Sequence, residues 1–212
     1  MAIIEGMRAM DEGRQLRQSI EDLVNRAGAL DVGYTMIRQA IPTVVMAFPY
    51  SAVWLPRRPL ALTRKLGEVA LASNQALSRA VALLQSAGYA AHGKGVLSVY
   101  GDFRPLAAAA GLGGWGRNGL IVHPRYGSGL LFTALFTNAP LTWEERPRQG
   151  GCRACGECVS ACPAGALDKE RLHLLRCLGH SLQGCGECME ACKSQLFHQA
   201  DPIPKSIVDD PV

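Results

Sequence analysis

Eight cysteines fall between Cys152 and Cys192, and the rest of the 212-residue chain has none. They read Cys152-Arg-Ala-Cys155-Gly-Glu-Cys158-Val-Ser-Ala-Cys162-Pro163, then Cys177, then Cys185-Gly-Glu-Cys188-Met-Glu-Ala-Cys192. Three thiolates on a short C-x2-C-x2-C loop can wrap one cubane while the intervening backbone N–H groups point at its sulfurs. A thiolate three residues further on faces away and serves a neighbouring cluster. Pro163 stops the loop from running on as helix. By this logic Cys152, Cys155, Cys158 and Cys192 hold one [4Fe–4S] cluster, and Cys162, Cys177, Cys185 and Cys188 hold a second. The second run departs from the rule because Cys177 stands further upstream than the spacing asks.

Two other uses of cysteine compete with this reading. Paired C-x2-C units also bind structural zinc, but zinc sites lack the third and fourth cysteines at these offsets. A disulfide framework suits a small secreted chain whose cysteines are spread throughout, which these are not. Gly156 and Gly186, beside the ligands, suit a backbone passing close to an inorganic core. Lys193 stands where a two-cluster bacterial ferredoxin usually has its second proline, a departure that leaves ligation intact.

The rest of the chain, 48% hydrophobic, is long enough for a full core beside a small cluster domain. A net charge of +4 gives no sign of nucleic-acid binding. No apolar run reaches the roughly eighteen residues of a membrane span. The N-terminal stretch mixes acids and bases without the apolar region of a signal peptide, and Arg57-Arg58 lies too far along the chain for a twin-arginine signal. Reduced thiolates without a leader point to the cytoplasm.

Apolar spacing predicts helices over 12–27 and 62–87, the second through Leu66, Ala70, Leu77, Val81 and Leu84 with Gly88 as its stop. Val32–Ile37, Thr43–Phe48, Val96–Tyr100, Leu120–His123 and Leu130–Phe136 read as strands, and Pro105–Ala110 as a short helix. This alternation predicts a layered α/β (α+β) sandwich over residues 1–146. A Pro/Gly-rich linker leads into a two-cluster domain over 147–198, followed by an extended tail over 199–212.

Gly111-Leu-Gly113-Gly-Trp-Gly116 satisfies G-x-G-x-x-G, but an alanine run precedes it instead of a strand. No acidic residue follows before Glu144, so the dinucleotide-binding context is missing. The residues alone allow a turn where backbone meets backbone. They also allow, with Arg104, Arg117, His123 and Arg125 in the acid-free stretch, a seat for a bulky cofactor carrying a phosphate or amides.

The order of three motifs carries a resemblance. Ala110-Gly-Leu-Gly-Gly-Trp-Gly-Arg117 with its following strand, then Phe136-Thr-Asn-Ala-Pro-Leu141, then the cysteine array, resembles the core of epoxyqueuosine reductases and reductive dehalogenases. Thr43-Val-Val-Met-Ala-Phe-Pro-Tyr50 is similar to an early strand of the first group. The resemblance implies a nitroreductase-like sandwich followed by a bacterial-ferredoxin-like module. It further implies cobalamin, with electrons reaching it through the clusters, and Gly111, Gly113, Gly116 and Arg117 lining the corrin. On that reading a β-carbon at Gly113 blocks cofactor uptake and leaves the iron content unchanged. FMN is the alternative cofactor, with Arg117 or Arg125 meeting its phosphate.

Tyr100 and Asp102 are the candidate proton donors, since Asp102-Phe-Arg-Pro105 resembles the D-x-x-P segment of the epoxyqueuosine group. Its spacing to the glycine loop is contracted here. The tRNA-reading repeat and the export leader of the two groups have no counterpart in this sequence, which favours a small organic substrate over nucleic acid. An external low-potential donor of the ferredoxin or flavodoxin type would supply electrons. The competing class is an electron-transfer or reductive-activator protein that passes electrons to a partner enzyme.

Overall fold

The computed structural model describes residues 2–50, 59–96, 98, 101–147, 150–168 and 171–194. Tyr100, most of the expected strand at 96–100 and the expected tail at 199–212 lie outside them. The fold is mixed α/β, built on an antiparallel sheet.

The chain forms two compact units. The first takes residues 1–48, 70–111 and 132–147; the second takes 49–69, 112–131 and 148–212. The glycine loop therefore runs from the first unit into the second, and Leu112 to Leu131 fold with the cysteine region.

In the first unit, β1 (Asp31–Ile37) pairs antiparallel with β2 (Ile41–Pro49) in a register that sets Val32 opposite Met46. β6 (Leu130–Thr137) follows in the sheet, and β3 (Ala91–Lys94) closes the order β1-β2-β6-β3, pairing antiparallel with β6. Val44 to Ala47 are fully buried in sequence, which marks β2 as a strand covered on both faces. Helices α1 (Ala2–Arg26) and α2 (Pro59–Ser86) carry apolar faces that include Ile20 and Val24 on α1, and Ala76, Ala80 and Leu84 on α2. Gly13 lies so close to the Pro140 carbonyl that no side chain fits between them.

Strand β3 differs from the expected Val96–Tyr100. His92-Gly-Lys is not a β-rich run, but a β-carbon at Gly93 would sit 2.6 Å from Leu77 of α2. The strand thus forms where the bare backbone lets that helix approach. Val96 lies in a turn.

In the second unit, β4 (Gly114–Trp115) and β5 (Ile121–Val122) make a short antiparallel ribbon. Three helices carry cysteines: α4 (Glu157–Ser160), α5 (Leu174–Leu182) and α6 (Glu187–Ser194). α4 and α6 pack together, and no described helix is long and apolar enough to cross a membrane.

Candidate iron–sulfur and cofactor site

The cysteine loop is laid onto the β4–β5 ribbon. Gly151 donates its N–H to the Val122 carbonyl at 3.1 Å. Gly150 and Gly151 lie so close to Val122 and Gly114 that a β-carbon at Gly150 would stand 2.8 Å from the Val122 oxygen. Cys152 therefore leaves from a fixed point. Ala154 then takes a left-handed φ of 56° and donates its N–H to Cys152 Sγ at 3.4 Å. Further on, Ala166 donates to Cys162 Sγ at 3.3 Å. Backbone N–H groups aimed at sulfur are what ligated thiolates accept.

The thiols of the two cysteine runs influence one another. Burial pushes the Cys158 thiol up from its ordinary value, and Cys152, Cys192 and Cys155 push it further. Burial also raises Cys177, with Cys162 and Cys185 adding to it. Cys188 is pushed up to about 12, first by burial and then by Cys185, Cys177, Cys162 and Cys158. The thiols of the two runs thus act on one another, Cys192 on Cys158 and Cys162 on Cys177 and Cys188, and Cys158 reaches Cys188 as well.

Among the described residues no three His, Cys, Asp or Glu side chains close around a point as ligands of one ion would. The backbone N–H groups directed at Cys152 and Cys162 suit thiolates that are ligands.

The unusual position of Cys177 has a structural cause. It sits on α5, and Gly184, with φ of 84°, ends that helix in a left-handed turn. Gly184 N–H bonds to the Ser181 carbonyl at 2.9 Å and Cys185 N–H to the His180 carbonyl at 3.0 Å. This pair of bonds reverses the chain after the helix. Cys185 is thereby returned to Cys177, so a helix and its cap replace the two-residue spacer.

A cavity of about 360 Å³ is lined by Cys152, Cys155, Cys158 and Cys192, by Gly116, Arg117 and Asn118, and by Val122, His123 and Pro124. Asn118, which the motif reading passed over, is buried there. It donates to Ser128 Oγ at 3.1 Å, and its Oδ1 accepts the Leu120 N–H at 3.2 Å. His123 is 2% exposed, and its Nδ1 accepts the N–H groups of Arg125 and Tyr126 at 3.1 and 3.3 Å. Double acceptance at Nδ1 leaves the ring proton on Nε2.

The glycines of the loop meet their own chain. A β-carbon at Gly113 would lie 2.5 Å from the Val122 carbonyl oxygen, and one at Gly116 would lie 2.5 Å from Asn118 Oδ1. Gly111, in the first unit, is close to Arg146 instead. A substitution at Gly113 therefore disturbs the ribbon that carries Cys152, which argues against the expectation that iron content would survive it. Arg125 lies 5.4 Å from the centre of the Tyr126 ring, while Arg117 faces the cavity.

Asp102 belongs to the first unit and is gripped by Arg104, with Oδ1 to Nε at 2.7 Å and Oδ2 to the guanidinium at 2.8 Å. That guanidinium holds its carboxyl below the usual carboxylate range. At neutral pH Asp102 is thus a carboxylate with no proton of its own to donate.

No protein-family profile matches the chain. Individual proteins do. An epoxyqueuosine reductase of Lactococcus garvieae is 43% identical over 79 residues, 37% of this chain and 22% of that protein. A tetrachloroethene reductive dehalogenase of Desulfitobacterium hafniense is 38% identical over 71 residues, 32% of this chain and 13% of that protein. The matched segments thus span less than a quarter of these relatives.

Among solved structures, a reductive dehalogenase described in terms of B12-dependent dehalogenation superposes with a TM-score of 0.67. Its identity is 18%, over 82% of this chain and 30% of that one. An epoxyqueuosine reductase solved with an epoxyqueuosine-modified tRNA stem loop gives a TM-score of 0.58 at 19% identity, over 84% of this chain and 64% of that one. In sequence and in fold, the homologues of this chain are the epoxyqueuosine reductases and the reductive dehalogenases.

Proposed function

We propose that this chain is the electron-carrying core of a cobalamin-dependent reductase. Cys152, Cys155, Cys158 and Cys192 hold one [4Fe–4S] cluster, and Cys162, Cys177, Cys185 and Cys188 hold the other. The single observation that supports this reading is the cavity that Cys152, Cys155, Cys158 and Cys192 line together with Gly116 and Arg117 of the glycine loop. The α/β part is read as a nitroreductase-like sandwich and the cysteine part as a ferredoxin-like module. Electrons enter from an external low-potential donor of the ferredoxin or flavodoxin type and serve to reduce a small organic substrate in the cytoplasm.

The chain's own residues supply positions and protons. The ribbon and its glycines fix Cys152, while Asn118 and His123 hold the loop that presents Arg117. Asp102 or Tyr100 moves the proton that reduction of a carbon centre requires, and for Asp102 this requires release from Arg104. Cobalamin, when bound, supplies low-potential cobalt chemistry. Cobalamin is proposed from the relatives, with FMN as the alternative.

Reconstitution of the anaerobically purified protein tests the reading. Uptake of one cobalamin per chain, with its visible spectrum changing on reduction, is expected. Uptake of FMN alone would replace cobalamin in this account. A protein that binds neither and still reduces a partner protein would be an electron-transfer module. Tight binding of a tRNA stem loop would overturn the small-molecule substrate.

A further inference from the structure

We propose that Arg117 raises the reduction potential of the cluster held by Cys152, Cys155, Cys158 and Cys192. The inference rests on the two-cluster reading above and adds a role for a side chain in the same cavity wall. Arg117 lines the cavity that all four thiols line. It is half-buried, and among the described residues no carboxylate pairs with it. The chain offers none nearby in sequence, since residues 103–143 contain neither Asp nor Glu.

A guanidinium that cannot lose its proton and is partly withdrawn from water needs an anion. Among the described residues that line this cavity none is Asp or Glu, and four are the cysteines of the first cluster.

The base of the side chain is fixed. Gly116 N–H bonds to the Leu120 carbonyl at 2.7 Å, Gly119 N–H bonds to the Gly116 carbonyl at 3.0 Å, and the next residue, Asn118, is tied to Ser128. Four thiolates around a cubane form an anion, and each electron added makes it more negative. A cation held at constant distance therefore stabilises the reduced form more than the oxidised one.

Full-length protein purified without oxygen, its iron and sulfide measured first, is titrated electrochemically and followed by EPR. The Cys152→Ala variant identifies which signal belongs to the first cluster. In Arg117→Gln the reduced-to-oxidised ratio of that cluster at a fixed potential is expected to fall at least about tenfold, a shift of about 59 mV for one electron. Arg117→Lys keeps the charge and is expected to stay within about twofold of wild type. The second cluster is the internal control and should not move.

Full iron with unchanged potentials in Arg117→Gln overturns the proposal, as does a fall in Arg117→Lys equal to that in Arg117→Gln. Should the Gln variant lose the first cluster, retention of that cluster at wild-type potential in the Lys variant supports it, and loss there as well overturns it. Wild-type protein lacking sulfide would overturn the two-cluster reading and this proposal together, an outcome the metal analysis reports separately.

Discussion

Gly113→Ala adds one carbon where the backbone has left no room. That carbon would stand 2.5 Å from the Val122 carbonyl oxygen, 2.8 Å from its carbon and 2.9 Å from Ile121 Cγ2. A tolerable C···O approach is about 3.3 Å, so one side of the ribbon must retreat by about 0.8 Å. Neither side is the end of a flexible side chain. Gly114 is paired with Val122 across the ribbon, and the same Val122 oxygen accepts the Gly151 N–H just ahead of Cys152. Overpacking of this kind costs about 1–3 kcal/mol, and the strained bond to Gly151 adds about 1 kcal/mol.

The expected outcome for Gly113→Ala is a loss of about 2–4 kcal/mol in urea unfolding, accompanied by a substoichiometric first cluster. Gly88→Ala is the matched control. Its β-carbon would meet nothing within 4 Å, so only the left-handed φ of 88° is penalised, about 1–2 kcal/mol. A Gly113→Ala protein with wild-type unfolding midpoint and full iron would refute the steric argument.

Cys162→Ala should empty the second quartet and leave most of the first in place, because Cys162 lies in the first run but acts on Cys177 and Cys188; iron per chain should fall by about half. Asp102→Asn should retain clusters and cofactor and slow turnover about a hundredfold if Asp102 moves the proton, whereas wild-type turnover leaves Tyr100 as the candidate. Burial raises the Tyr34 phenol well above its ordinary value, with Glu21 reinforcing the shift. The folded state therefore favours the protonated phenol, and stability present below about pH 10 should drain away above it as the unfolded chain ionises. Tyr34→Phe should flatten that decline in unfolding midpoints measured from pH 8 to 11.

Thiol spacing limits which sulfurs can share a core, so the two quartets are an expectation of the sequence. In the structure Cys192 acts on Cys158 and Cys162 on Cys177, while Cys158 also acts on Cys188. Helices α1 and α2 and strands β1, β2 and β6 were legible from apolar periodicity. Strand β3 was not, because what defines it is the missing side chain of Gly93 under Leu77, a contact between residues sixteen apart. The helix that delivers Cys177 was read only as irregular spacing. Its leucines at 174, 175, 178 and 182 are exposed, so no buried stripe announced it. The glycine loop matched a ligand-binding pattern, yet its closest neighbours are Val122 and Asn118, which no pattern of glycines reveals.

The most direct test is the iron and acid-labile sulfide content of the anaerobically purified wild-type chain, read beside that of Cys192→Ala. The account predicts about eight iron and eight sulfide per wild-type chain. It predicts about half of each in Cys192→Ala, with the surviving EPR signal that of the second cluster. Stoichiometric zinc without sulfide, or a Cys192→Ala chain that keeps both clusters, would contradict it.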